Sequence, residues 1–120
     1  MTRAAANRAH GAWVPTLLHP NELAALQTSA TRAVAVLKVL ANEVRLMLVC
    51  QLAEGEKSVG ALQAYVGLSQ SAVSQHLARL RKHKLVSTRR NGQSVHYVLA
   101  SGETAALIKT LHDQFCRKSR

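Results

Sequence analysis

Residues 69–80 read Ser-Gln-Ser-Ala-Val-Ser-Gln-His-Leu-Ala-Arg-Leu, with large apolar side chains only at Val73, Leu77 and Leu80. Spacings of four and three put those three on one side of a helix, and Ser69 has the hydroxyl of an N-cap. Gln70, Ser71, Ser74, Gln75, Ala78 and Arg79 are left on the outer face. That face suits the edge of a base pair. Glutamine pairs bidentately with adenine, serine donates or accepts, and alanine or serine lets the helix backbone enter a major groove. Just upstream, Ser58 caps a shorter helix with Val59, Leu62 and Val66 facing inward, and Gly67 ends it. Two short helices joined by a tight glycine-containing turn make a helix-turn-helix.

Downstream of Leu85 the period changes from helical to two: Val86 and Thr88, then Arg89-Arg90-Asn91-Gly92-Gln93, then Val95, Tyr97 and Leu99. Asn-Gly between alternating strands signals a β-hairpin. A hairpin directly behind a recognition helix, with Arg89 and Arg90 at its tip, forms a wing whose arginines reach phosphates or an adjacent minor groove. From Glu103, Leu107, Ile108, Leu111 and Phe115 form the stripe of a terminal helix, expected to pack with the first helix in cis or across a dimer.

Upstream, Asn21 is placed to cap a helix whose apolar residues Leu23, Leu26, Ala30, Ala33, Leu37 and Leu40 step by three and four, a narrow seam as suited to a partner helix as to a core. Asn42 caps a second helix, Val44 to Leu52, carrying Leu46, Met47, Val49 and Cys50, and Gly55 stops it. Residues 1–20, with Arg3, Arg8, Trp13, Pro15 and Pro20, read as an N-terminal arm. An organellar presequence fits less well, because Pro15 interrupts any helix there. The expected fold is mainly α with a β-hairpin wing, in the order α-α-α-α-β-β-α. It is one winged helix-turn-helix domain over residues 21–120, expected to form a homodimer.

The charge is distributed accordingly. The chain of 120 residues carries a formal charge of +10 and is 48% hydrophobic, too apolar for a disordered polycation. No Asp or Glu occurs between Glu56 and Glu103, whereas Lys57, Arg79, Arg81, Lys82, Lys84, Arg89 and Arg90 do. A long field of one sign calls for a polyanion. A membrane partner is not expected, since no run approaches the ~18 uninterrupted apolar residues of a span. Two widely separated cysteines make no disulfide framework and suit a reducing, cytoplasmic compartment.

This order of elements, with the run Leu37-Lys38-Val39-Leu40-Ala41-Asn42-Glu43-Val44-Arg45-Leu46, the serine-rich recognition helix and the wing ending His96-Tyr97-Val98-Leu99, resembles the ArsR/SmtB family of dimeric winged-helix repressors. The resemblance covers about residues 30–117. It implies double-stranded operator DNA as partner, with Gln70, Ser71, Ser74 and Gln75 at the base-reading positions. Arg79, Arg81, Arg89 and Arg90 complete the DNA-binding set. No cofactor is expected.

The family's effector sites differ among its branches. An arsenic-type site would need a pair of thiols where Leu48-Val49-Cys50 has one. A zinc-type site would need Asp/His and His/Glu pairs where Ser101, Glu103, Gln114 and Arg117 stand, and Arg117 would set a cation at the metal position. The pattern that matches is the reactive-sulfur-responsive branch of the BigR, SqrR and HlyU type. One cysteine follows Val49 on the second helix and one closes the last helix, here Cys50 and Cys116. In that branch the reduced dimer binds its operator, and a disulfide or polysulfide link between the pair weakens binding.

Cys116 lies after His112 and before Arg117, Lys118 and Arg120, cations that favour a thiolate, whereas Cys50 has no adjacent cation. Alternatives to sulfur sensing are a metal-sensing ArsR-type repressor and a redox-insensitive regulator or anti-silencer with both cysteines as small core hydrophobes. An enzyme using Cys116 with His112 as base would lack an orienting residue, an oxyanion loop and a cofactor motif.

Overall fold

The computed structural model describes residues 19–100 and 102–116, apart from the side chains of Glu103, Thr104 and Cys116. Residues 1–18 of the arm expected over residues 1–20, and the cations from Arg117 to Arg120, lie outside the described residues, while Pro20 already belongs to the first helix. In chain order the elements are α1 (Pro20–Leu40), α2 (Glu43–Ala53), β1 (Lys57–Ser58), α3 (Val59–Val66), α4 (Gln70–Lys82), β2 (Val86–Asn91), β3 (Ser94–Leu99) and α5 (Glu103–Leu111). A π-helical turn, His112–Cys116, closes the series.

Side-chain caps fix three helix starts where the sequence places them. Asn42 Oδ1 accepts from the Arg45 amide at 3.0 Å, Ser58 Oγ from Ala61 at 3.1 Å and Ser69 Oγ from Ala72 at 3.2 Å. Gly67 ends α3 in the left-handed region, φ 73°, which glycine enters at no steric cost. The start of α1 differs from expectation. Pro20 is its first residue, where a missing N–H costs nothing, and Asn21 lies inside the helix rather than capping it. The cap is instead the Glu22 carboxylate, accepting from the His19 amide at 2.9 Å.

The chain divides inside α1 into two compact units, Met1–Val34 and Ala35–Arg120. In the first, every described residue is exposed, including Leu23 and Leu26. By length and composition α1 could cross a membrane, with a mean hydropathy of 1.3 over its most apolar window. No run of uninterrupted apolar residues in it approaches a span, because Asn21, Glu22, Gln27, Thr28, Ser29, Thr31, Arg32 and Lys38 interrupt the helix.

In the second unit one core gathers Val39 and Leu40 from α1, Leu48, Val49 and Leu52 from α2, Leu62 from α3, Val73, Leu77 and Leu80 from α4, Leu85, Val86, and Ile108 from α5. Leu48 and Leu52 are buried more deeply than Leu46 and Met47, which sequence had placed inside. Within the chain α5 packs on α2, with Ile108 as its buried anchor. Phe115, expected in the terminal stripe, is 79% exposed.

The sheet has three strands, not two, in the order β1-β3-β2. Lys57 pairs Tyr97 and Ser58 pairs His96, a two-residue strand with no periodicity to announce it. In the wing Asn91 pairs Ser94, so the loop is Gly92-Gln93 with Gly92 at φ 65°. The turn begins one residue later than the Asn-Gly signal implies. Arg89 and Arg90 therefore lie within β2, opposite His96 and Val95, and alternate between the two faces of the ribbon rather than sharing its tip.

Between recognition helix and wing the backbone closes with two bonds, Leu85 N–H to Leu80 C=O and Lys84 N–H to Arg81 C=O, both 3.0 Å. This is a Schellman closure, with Lys84 at φ 61° in the position usually given to glycine. The apolar contact that accompanies such closures is supplied by Leu80 and Leu85, both fully buried.

Candidate nucleic-acid interface

Burial of Val73, Leu77 and Leu80 at 0% exposure sets the rotation of α4. Gln70, Ser71, Ser74, Gln75, Ala78, Arg79 and Arg81 are all exposed as a result. The six side chains the periodicity turned outward therefore share one accessible face, with Arg79, Arg81 and Lys82 in the last turn.

On the opposite flank, α4 is joined to α2 through a contact with no sequence signal. Arg45 donates from Nε to the Val39 carbonyl at 2.7 Å and lies with Nη1 3.3 Å from His76 Nδ1. A guanidinium has no acceptor, so His76 Nδ1 must accept, which requires a neutral imidazole protonated on Nε2. Burial, and then the Arg45 cation, hold His76 below its ordinary pKa. Burial and the nearby Arg79 likewise lower Arg45.

A second histidine is perturbed in the opposite direction. His112, first residue of the π turn, has Nε2 2.9 Å from Glu54 Oε2 and Nδ1 3.4 Å from Asp113 Oδ1. The Glu54 bond raises its pKa, against a smaller lowering by burial.

Opposite shifts give opposite pH dependences. A histidine lowered from 6.5 adds stability above that value and loses it as pH falls through the folded pKa. One raised from 6.5 stabilises fully below that value and loses its contribution as pH rises through the folded pKa. Thermal melts between about pH 5 and pH 8 should therefore show His76→Gln losing less stability on acidification than the native chain. His112→Gln should lose more. Parallel curves for all three proteins would rule out both contacts as contributors.

The wing arginines are not equivalent. Arg90 is exposed, whereas Arg89 Nε lies 3.2 Å from Glu56 Oε1, and the other carboxylate oxygen of Glu56 lies 2.8 Å from His96 Nδ1.

The cysteines occupy another region. Cys50 is 1% exposed on α2, which packs against α5 and the π turn. Cys116 ends the π turn, and its side chain lies outside the described residues. Ser101 and Arg117, two of the zinc-type positions, are also outside them. Among the described residues no three His, Cys, Asp or Glu side chains gather as a metal ion would require.

The family model for "Bacterial regulatory protein, arsR family" matches residues 42–88, from the cap of α2 to β2. The transcriptional activator HlyU of Vibrio cholerae is 45% identical over 101 residues, 84% of this chain and 94% of that protein. The chain belongs to the ArsR family.

The ArsR-family resemblance extends to three-dimensional structure. Reduced HlyU from Vibrio cholerae superposes with a TM-score of 0.72 at 46% identity, over 78% of this chain and 98% of that one. The repressor BigR from Xylella fastidiosa gives 0.74 at 39% identity, over 79% and 97%. A homodimeric winged helix-turn-helix domain from Mycobacterium bovis, described as a possible ArsR-family regulator, gives 0.64 at 29% identity, over 80% and 85%. ArsR-family regulators bind DNA and are often homodimers, and this chain is an ArsR-family transcriptional regulator with HlyU and BigR among its relatives. Those relatives are regulators rather than enzymes, and His112, the base an enzymatic reading would need, is engaged by Glu54 and Asp113.

Arg45, His76, Glu54 and Glu56 were not singled out by sequence. Each acts through a partner at least 31 positions away, and no local period reports such a pairing.

Proposed function

We propose that the chain is a cytoplasmic, homodimeric transcriptional repressor of an inverted-repeat operator, released when Cys50 and Cys116 become linked by a disulfide or polysulfide in response to reactive sulfur or oxidants. The observation that carries the DNA reading is the exposed polar face of α4, held outward by three fully buried apolar residues. Gln70, Ser71, Ser74 and Gln75 read base edges in the major groove, while Arg79, Arg81, Arg89 and Arg90 neutralise phosphates.

Dimerisation gives the apolar seam of α1 a partner. Leu23, Leu26, Val34 and Leu37 are each about half exposed, a stripe no isolated soluble helix keeps in water without cost. A second copy suits it better than a lipid bilayer, because Arg32 and Lys38 lie within the same helix.

The sulfur reading rests on the placement of Cys50. Glu54 and His112 join α2 to the π turn, with Cys50 four residues before Glu54 and Cys116 four after His112, one helical turn from the joint on each segment. Linking the thiols removes two electrons from the pair, and the sulfane-sulfur donor or oxidant accepts them. The link ties α2 to the terminal segment, and the Arg45–His76 contact carries the constraint from α2 to α4.

The test is operator affinity with and without a persulfide donor. The native protein should bind when reduced and lose affinity after treatment, while Cys50→Ser and Cys116→Ser bind under both conditions. Unchanged affinity of the treated native protein would overturn sulfur sensing and leave a DNA-binding regulator with structural cysteines, the role that the near-complete burial of Cys50 suits.

A further inference from the structure

The ion pair at the base of the wing follows from strand register. β3 is the central strand, with His96 opposite Arg89 of β2 on one side and Ser58 of β1 on the other. Directly opposed residues project from the same face of the sheet, so Arg89 and His96 stand side by side. Glu56, just ahead of β1, reaches over that face and divides its carboxylate between them, Oε2 to His96 Nδ1 at 2.8 Å and Oε1 to Arg89 Nε at 3.2 Å.

The three groups differ in exposure. Glu56 and His96 side chains are 26% and 23% exposed, and Arg89 is 65% exposed. The carboxylate is therefore aimed by a half-buried contact, while the guanidinium it meets stays open to solvent and to any approaching anion. Glu56 is also the last acid before the acid-free interval that carries α4 and the wing. Its placement on one of the two wing arginines is the one point at which a described carboxylate meets a cation of that interval.

We propose that Glu56 competes with DNA phosphate for Arg89. In the free protein the carboxylate occupies the guanidinium, and duplex binding requires phosphate to displace it. An exposed ion pair is weakly held, and a phosphate offers the same guanidinium a fork of charge-assisted bonds, so the exchange goes forward on DNA and reverses on release. Because phosphates are the same at every sequence, Glu56 lowers affinity for all duplexes by one factor and leaves base discrimination to α4. Arg90, on the other face of the ribbon, makes its phosphate contact without a competitor. The inference rests on the DNA-binding reading and assigns the two wing arginines different roles within it.

The test uses the full-length protein and a short fluorescein-labelled duplex of random sequence, titrated by anisotropy across a series of salt concentrations. Glu56→Gln, which keeps an acceptor for His96 but removes the charge, should tighten binding by about three- to tenfold at low salt. The same substitution in an Arg89→Ala background should give no gain. Native and Glu56→Gln proteins should melt at similar temperatures, since glutamine keeps the His96 contact and the Arg89 end of the pair is exposed. An equal gain with and without Arg89 would overturn the proposal, because Glu56 would then act as a general negative charge near DNA. No gain in either background would overturn it as well. Failure of every variant, the native protein included, to bind the duplex at low salt would instead strike the DNA-binding reading beneath it.

Discussion

Replacing Leu77 with alanine is expected to destabilise the protein by about 2–5 kcal/mol, the range for removing a leucine side chain from a core that cannot collapse around the gap. Leu77 is fully buried at the middle of α4, between Val73 and Leu80, and the core it enters receives residues from α1, α2, α3 and α5. Those three residues are the whole buried face of the recognition helix, so a cavity there weakens the hold of α4 on the rest of the domain. Equilibrium denaturant unfolding measures the loss, and Ser71→Ala on the exposed face is the control, expected within ~0.5 kcal/mol of the native chain. A loss under ~1 kcal/mol for Leu77→Ala would mean that α4 is held by something other than this stripe.

Gln70→Ala or Ser74→Ala is expected to reduce discrimination between operator and random duplex by about 1–3 kcal/mol, with little change in stability. Both side chains are exposed on the face that the core turns outward, and neither forms part of the folded interior. Arg90→Ala should behave differently. It should weaken operator and random DNA about equally and lower the salt slope of binding by about one, because a phosphate contact displaces one counterion and reads no base. Competition binding with both duplexes at several salt concentrations separates the two behaviours. The opposite pattern, discrimination lost with Arg90 and a uniform loss with Gln70, would reverse the roles of helix and wing.

Legibility in the sequence followed interaction range. The caps Asn42, Ser58 and Ser69 were readable because each accepts from an amide three residues on. The outward face of α4 was readable because burial at spacings of three and four leaves one arrangement for everything else. The cap of α1 was misread at Asn21, since Pro20 and Glu22 compete for the same start and proline is well placed in the first turn. The hairpin was found and its loop displaced by one residue, because Asn91 pairs Ser94 and the turn falls to Gly92-Gln93. That single shift moved Arg89 and Arg90 from a shared tip to opposite faces of a strand. β1 left no trace, because two residues carry no period and its pairing partner lies about 40 positions away.

By itself, then, the sequence determined the helix-turn-helix, the wing and the coincidence of both with a stretch free of carboxylates. These depend on local periodicity and on charge counted along the chain, which need no knowledge of the fold. Tertiary structure decided what sequence left open. It placed α5 on α2, left the stripe of α1 exposed, set Arg45 against His76, and set Glu56 between Arg89 and His96. Each of these is a contact between residues far apart in the chain, made only when the core closes. The charge of +10 implied a polyanion, while the effective charge of the wing depends on where a single carboxylate comes to rest.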